Sequence, residues 1–307
     1  MRSGILLLDK PRGITSHDAV ARVRRAAGTR RVGHAGTLDP MATGLLVLGV
    51  ESATRLLTYL VGLDKEYLAT IRLGSSTNTD DADGQATGGS PASGLADSAI
   101  RERLAAMTGE IEQVPSSVSA IKVDGKRAYT LARAGEEVAL AARRVTVSAL
   151  ELLDGRREGD LLDLDVRVEC SSGTYVRAIA RDLGAALGVG GHLTALRRTR
   201  IGPFAIADAS QLEDLDPRAA LLAPSAVATR LFPEFRLSEQ QEVDLGHGKR
   251  LAGTGLADGG PVAAIGATGR LCGLLEVTAG VARTLVNFPA DAAEPSGVAG
   301  GPGAPEE

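Results

Sequence analysis

The chain alternates short apolar runs with polar, glycine-rich connections. "GILLLD" (4–9) is an unbroken apolar run of strand length, followed by the Pro-Gly turn of "KPRG". Between Ser16 and about Ala27, Val20, Val23 and Ala27 fall on one face, which predicts a helix capped by Ser16, with Asp18 in its first turn and Gly28 as its stop. "LLVLGV" (45–50) predicts a strand, "SATRLLTYLVG" (52–62) a helix and "KEYLATIRLG" (65–74) another strand. Residues 75–96 are rich in Ser, Thr, Asp and Gly and predict a long polar loop before a helix at about 97–107. Loops of that length are uncommon unless they serve a function. Asp124-Gly125 within "VSAIKVDGKRAYTLA" is the strongest two-residue hairpin signal, and its tip carries Lys122, Lys126 and Arg127. From Leu162 to Cys170 even positions are apolar and odd ones polar, the pattern of a strand with one buried and one wet face. Antiparallel sheets permit such a face; fully covered parallel sheets do not.

"SSGTYVRAIARDLGAALG" turns at Gly173 and enters a helix with an apolar stripe of Val176, Ile179, Ala180, Leu183 and Leu187. Arg177 lies in its first turn, where the helix dipole disfavours a cation by ~0.3–1 kcal/mol. That placement calls for an anionic partner. The texture changes at about residue 230, and the following 60 or so residues predict a compact, mainly β unit. The last residues, "AEPSGVAGGPGAPEE", contain no cation and almost no bulky apolar side chain, and predict a disordered tail.

Composition narrows the function classes. A chain of 307 residues is long enough for about two domains and needs no metal or disulfide to fold. Cys170 and Cys272 lie far apart, and the four histidines offer no paired ligand spacing, so no structural metal is expected. The run before Asp9 is too short for a signal peptide or a membrane span, and a cytoplasmic protein is expected. The net charge of −4 conceals basic segments beside acidic ones: residues 1–60 carry nine Lys/Arg against four Asp/Glu, and residues 201–307 carry seven against fourteen. "RVRRAAGTRR" (22–31) has five arginines and no acid, and "LRRTR" (196–200) adds three. Either run reads as a solvated face or as part of a polyanion groove.

Few residues point to chemistry by pattern alone. No Walker loop, dinucleotide fingerprint or serine-histidine-aspartate arrangement can be assembled, and "GVGG" (188–191) follows a helix instead of a strand. Asp39 stands out in "GHAGTLDPMATG" (33–44), where glycines on both sides allow close approach of a ligand to the backbone. Asp-Pro is also an ordinary turn or helix start.

"LLLDKPRGITSHD", "RRVGHAGTLDPMATGLL", "KEYLATIRLG", "TDDADG", "SSGTYVRAIARDLG" and "GGHLTALRRT" occur in this order, and together they resemble the signature blocks of the bacterial tRNA pseudouridine synthase B (TruB) family over about residues 4–204. The resemblance implies an α+β fold with a central mixed, largely antiparallel sheet flanked by helices and loops. A small mainly β C-terminal domain is attached. It implies a catalytic domain over 1–230 with an RNA-clamping hairpin insert at about 117–147, an accessory RNA-binding domain over 231–290, and the tail over 291–307. The implied reaction isomerises uridine 55 in the T loop of tRNA to pseudouridine, with no cofactor.

Residue by residue, the resemblance makes Asp39 the essential carboxylate, ionised at an ordinary pKa of about 4. Arg177 is its ion-pair partner, and Tyr67 the aromatic that stacks on the target base. Tyr175 and Leu196 line the uracil pocket, His34 contacts RNA beside the extracted nucleotide, and Asp81 belongs to the arginine's network, with Asp80 and Asp83 as neighbouring alternatives. Lys10 supports the loop bearing Asp39. The implied partner is the T arm of tRNA, bound by a monomer with no obligate protein partner and no membrane. Two other readings are a tRNA-folding chaperone and a guide-dependent synthase subunit. Whether Asp39 attacks C1′, attacks the base or abstracts a ribose proton stays open.

Overall fold

The computed structural model describes residues 2–116 and 140–291, together with the backbone of 122–123 and 126–127. In chain order the first half gives β1 (Gly4–Lys10), α1 (Ser16–Ala27), β2 (Val32–Ala35), β3 (Thr43–Val50), α2 (Leu57–Val61), β4 (Lys65–Leu73), β5 (Ser76–Thr77), β6 (Ala86–Gly88), α3 (Asp97–Ala106), β7 (Gly109–Gln113), β8 (Lys122–Val123) and β9 (Lys126–Arg127). The second half gives β10 (Arg143–Glu158), β11 (Leu161–Cys170), α4 (Val176–Ala186), β12 (Gly191–Ile201), β13 (Phe204–Ala205), β14 (Ser210–Gln211), α5 (Pro217–Ala220), α6 (Pro224–Leu231), β15 (Glu234–Arg236), α7 (Glu239–Gly246), β16 (Leu251–Ala252), β17 (Gly259–Ile265), β18 (Leu271–Thr278) and β19 (Val281–Asn287).

A ten-stranded sheet in the order β14-β1-β3-β12-β4-β11-β10-β7, with β2 beside β3 and β13 beside β12, forms the body of the protein. It is mixed but largely antiparallel: β1 with β14 and β3 with β12 are its parallel pairings. A second sheet, β15-β17-β18-β19-β16, is built from the C-terminal residues.

The apolar patterns map onto how many faces each strand buries. Leu6, Leu8, Leu46 and Leu48 pack under α1 through Val20 and Val23. Ile5, Leu7, Leu45 and Val47 face the other way, against Leu60, Val227 and, from the second sheet, Ile265, Leu271 and Leu274. Both faces of β1 and β3 are thus covered, which is why "GILLLD" and "LLVLGV" do not alternate. β4 and β11 bury one face only. Tyr67, Ala69, Ile71, Val166 and Val168 pack against Ile179, Ala180 and Leu183 of α4. Their outer face carries ion pairs instead, among them Arg72 with Asp163 and Arg167 with Glu66, Glu151 and Glu169.

Local differences from the sequence reading have physical causes. Thr15, not Ser16, caps α1: its hydroxyl accepts from the Asp18 amide while the Asp18 carboxylate accepts from the Thr15 amide, completing a capping box. The expected helix at 52–62 begins as a 3₁₀ turn over Glu51–Leu56. The 75–96 segment is less loose than its composition suggests, because β5 pairs with β6 and Asp81 bridges to Leu193 of β12. Lys122–Val123 pairs antiparallel with Lys126–Arg127, and Arg143–Val147 belongs to β10 beside β7. The rest of the expected 117–147 insert up to 139, and the tail from 292, lie outside the described residues.

Among the described residues no helix is long and apolar enough to cross a membrane, and no group of His, Cys, Asp and Glu is arranged to hold a metal.

Candidate active site

Asp39 sits in the connection from β2 to β3, and backbone on both sides of it is tied down. The buried Ser16 hydroxyl donates to the Leu38 carbonyl at 3.1 Å and accepts from the Leu38 amide at 2.9 Å. The Gly13 amide donates to the Pro40 carbonyl at 2.8 Å, joining this connection to the Pro-Gly turn after β1. Arg198 of β12, 1% exposed, donates to the carbonyls of Gly36 at 3.1 Å, Thr37 at 3.5 Å and Leu45 at 2.7 Å. Gly36 at φ +85° and Gly44 at φ +102° supply the left-handed turns this path needs. A Cβ on Gly44 would lie 2.3 Å from the Arg198 carbonyl oxygen.

Arg177 meets that carboxylate from the first turn of α4. Its Nε lies 3.0 Å from Asp39 Oδ2, while its Nη1 lies 3.4 Å from Asp81 Oδ2 and donates to the Thr79 carbonyl at 2.8 Å. Arg177 is 3% exposed, so two carboxylates offset the burial of one cation. Of the three neighbouring acids, Asp81 is the one facing Arg177. Asp80 pairs instead with Arg181 at 3.3 Å, and Asp83 lies 4.0 Å from exposed Arg12. The start of α4 is held by the Gln113 side chain of β7, which accepts from the Tyr175 amide at 2.8 Å and donates to the Tyr175 carbonyl at 3.1 Å.

A cavity of about 260 Å³ opens between these elements. Asp39, Tyr67, Tyr175, Arg177 and Leu196 line it, with Lys65 and Arg198. β-Sheet register explains the convergence: Tyr67 stands directly across from Arg198, and Ala69 across from Leu196, on the antiparallel pair of β4 and β12. His34 and Lys10 do not line it. His34 lies on β2, edge-on to His17 with ring centroids 5.6 Å apart, and its buried Nδ1 has no partner among the described residues. Lys10 is fully buried and donates to the Pro11 and Ile14 carbonyls, both at 2.9 Å. It therefore shapes the 11–14 turn, which the bond from Gly13 to Pro40 joins to the Asp39 connection.

Electrostatics corrects one expectation. Burial raises the Asp39 carboxyl above its usual range, with Arg177 as the main opposing influence, Asp81 adding to the rise and Lys10 opposing it. A carboxylate reading at ordinary pKa omits this desolvation, which only tertiary packing reveals. Burial also raises the Tyr67 phenol, against the pull of Arg198. It lowers the His34 imidazole, and brings Lys10 and Lys65 down to about 8 each.

The arginine runs divide. In "LRRTR" the guanidinium of Arg197 pairs with Asp9 at 2.7 Å, that of Arg198 is buried, and that of Arg200 faces Glu169 at 3.1 Å, so this run holds the sheet together. In "RVRRAAGTRR" all five arginines are exposed, though Arg24 donates to the Val32 carbonyl and Arg31 lies 3.8 Å from Glu51.

Comparison with known proteins bears on this arrangement. Residues 24–176 match the N-terminal domain of the TruB family pseudouridylate synthases, residues 177–231 the tRNA pseudouridylate synthase B C-terminal domain, and residues 232–289 the tRNA pseudouridine synthase II C-terminal domain. The chain belongs to the TruB family. A tRNA pseudouridine synthase B of Leifsonia xyli subsp. xyli (strain CTCB07) is 63% identical over 294 residues, covering 94% of this chain and 97% of the relative. Its counterpart in Arthrobacter sp. (strain FB24) is 54% identical, with coverage of 94% and 97%. Among solved structures, a chain of an H/ACA RNP bound to a substrate RNA containing 2′-deoxyuridine superposes with a TM-score of 0.69 at 26% identity. That match covers 94% of this chain and 86% of the other.

Within this TruB-family site, sequence reasoning missed Ser16, Gln113, Lys65 and Arg198. Ser16 read as a helix cap and Arg198 as one cation in a basic run. Only Lys65 had a local signal, an ammonium placed two residues before Tyr67 on a strand face that is otherwise apolar.

Proposed function

We propose that this TruB-family tRNA pseudouridine synthase isomerises uridine 55 in the T loop of tRNA, with Asp39 as the group that acts on the ribose or base. The observation that carries this reading is the Asp39 carboxylate, 37% exposed at the cavity and held by a nearly inaccessible Arg177. A bidirectional job suits it: the C1′–N1 bond must break and a C1′–C5 bond must form, with no net oxidation. A carboxylate held through one oxygen by a guanidinium Nε keeps its other oxygen available to serve as nucleophile or base.

In this reading the cavity receives the target pyrimidine, so the nucleotide has to leave the loop stack, at a cost of a few kcal/mol. Tyr67 offers an aromatic face, and stacking on such a face returns on the order of 1–3 kcal/mol. Tyr175 and Leu196 close the sides of the cavity, Asp81 keeps Arg177 aligned, and Lys10 fixes the neighbouring turn. His34 and the exposed arginines of α1 meet the RNA outside the cavity. The enzyme works as a cytoplasmic monomer that reads the T arm directly.

Asp39→Asn preserves size and should reduce pseudouridine formation in tRNA by at least about 10³-fold, while RNA affinity stays within a few-fold. Tritium release from C5-labelled uridine 55 measures the first and filter binding the second. Turnover at the wild-type rate by this variant would remove the mechanism. The guide-dependent reading draws on the ribonucleoprotein among the structural relatives; efficient modification of a bare T-arm stem-loop by the purified chain would exclude it.

A further inference from the structure

Lys65 and Arg198 are buried cations whose charge the reaction outlined above leaves without a counterpart, although the guanidinium of Arg198 also ties the backbone around Asp39. Lys65 is 6% exposed, and its ammonium donates to the carbonyls of Val61 at 2.6 Å and Leu63 at 2.5 Å. Arg198 spends its guanidinium on three carbonyls. Among the described residues neither has a carboxylate within 4.0 Å. The two side chains converge on one point: a Cβ placed on Gly36 would stand 3.6 Å from Arg198 Nη1 and 4.0 Å from Lys65 Cε. Both residues line the cavity that holds Asp39 and Tyr67. With Arg177 shared between Asp39 and Asp81, the cavity wall has positive charge in excess.

Buried charge without a counter-ion is unfavourable in the resting protein, so its retention at a reaction site asks what anion it is arranged for. We propose that Lys65 and Arg198 form an electrostatic cradle for the detached uracil ring in its anionic form. The inference rests on the isomerisation reading. When the C1′–N1 bond breaks, its electron pair stays with the ring and spreads over N1 and the ring carbonyl oxygens. C1′ is satisfied either by a bond to an Asp39 oxygen or by loss of the 2′ proton to that carboxylate. Both routes release the same ring anion, so the cradle is needed whichever is used. The ring then turns, its C5 electron pair forms the C5–C1′ bond, the Asp39 adduct or proton transfer is reversed, C5 loses its proton and N1 gains one. The ring is neutral again and the cradle no longer holds it. Neither cation has to touch the base, because a fixed charge in a site from which water is displaced acts at short range through space.

The test compares target RNAs with uridine and with 5-fluorouridine at the reacting position, under single-turnover conditions with wild type, Lys65→Met and Lys65→Arg. Fluorine stabilises the ring anion through its own bonds; because it also leaves no C5 proton to remove, consumption of the starting nucleotide is followed. Lys65→Met should slow uridine consumption at least about tenfold and 5-fluorouridine consumption several-fold less, whereas Lys65→Arg should keep the wild-type ratio of the two rates. Equal slowing of both RNAs by Lys65→Met would overturn the inference. A measurement on wild type alone guards against a variant that fails to fold: at mildly alkaline pH, 6-azauracil, close to uracil in shape and far more acidic, should inhibit at least about tenfold better than uracil. Equal inhibition by the two rings would overturn it too. Wild type that forms no pseudouridine in tRNA would instead overturn the isomerisation reading, and the inference with it.

Discussion

Arg177 Nε lies 3.0 Å from Asp39 Oδ2, although one residue lies in the first turn of α4 and the other in the connection between β2 and β3, far away in the chain. The contact resolves two oddities at once. A cation at a helix start is unfavourable alone, and a partly buried carboxylate is unfavourable alone; placed together, each offsets the other.

The charge of Arg177 holds down a carboxyl that burial pushes up, so removing it should move the acid limb of activity. Asp39 has to be ionised to act as nucleophile or base. Arg177→Gln deletes the cation, the carboxylate becomes less favourable, and the folded-state pKa rises further. The kcat/KM profile should therefore fall away at a higher pH than in wild type, with a plateau lower by about 10²-fold or more. A plateau loss with an unmoved acid limb would show that Arg177 only positions.

Ser16 holds both polar groups of the Leu38 backbone. Ser16→Ala leaves a buried amide and carbonyl without partners, which should lower unfolding free energy by about 1–3 kcal/mol in urea titrations. Because Leu38 adjoins Asp39, kcat should fall with KM for tRNA nearly unchanged. A variant with unaltered kcat would mean that the other ties at Gly36, Thr37 and Pro40 are enough to place the carboxylate.

How much of this could be read from the sequence depended on how local the cause was. Strands with clear alternation, such as Leu162–Cys170, and the helix bearing Arg177 emerge from period alone, because burial of one face dictates them. Asp39 drew notice through its flanking glycines, and the demand of Arg177 for an anion followed from its place at a helix start. Ser16, Gln113 and Arg198 gave no such sign. Each acts on backbone groups far away in sequence, and a side chain that donates to a remote carbonyl leaves no periodic trace. The raised pKa of Asp39 was hidden for a similar reason, since desolvation comes from the whole fold.

Two glycines with similar backbones separate strain from collision. Gly13 (φ +88°) has open space where a Cβ would sit, whereas a Cβ on Gly44 (φ +102°) would meet three backbone atoms of Arg198 at 2.3–3.0 Å. Gly13→Ala should lose about 1–3 kcal/mol, the cost of a left-handed conformation in a residue with a side chain. Gly44→Ala adds a clash between paired strands and should lose at least about 1–3 kcal/mol more, with little soluble enzyme at 37 °C or so. Equal melting temperatures for the two would show that β3 and β12 can separate locally.

Lys65 has its pKa brought down to about 8, which sets an alkaline limit if its charge assists the reaction. As pH rises through that value the ammonium loses its proton and kcat should decline. In Lys65→Arg the guanidinium stays charged, and the decline should shift upward in pH. It does not vanish, because Lys10 also titrates at about 8 and its charge helps keep Asp39 ionised. An alkaline limb identical in wild type and Lys65→Arg would assign the whole decline to other groups.

Asp39 should also be a liability for stability. Its folded-state pKa lies above the unfolded one, so the folded protein binds this proton more tightly, and stability contributed by the group falls as pH rises between the two values. Below the unfolded pKa the group is protonated in both states and no penalty remains. Asp39→Asn stays neutral throughout, and Arg177 keeps Asp81 and the Thr79 carbonyl as partners. At neutral pH this variant should therefore melt no lower than wild type, and up to a few degrees higher. In acid the two should melt together. A lower melting temperature for Asp39→Asn at neutral pH would mean that attraction to Arg177 outweighs desolvation, and that the carboxylate stabilises the fold it was expected to strain.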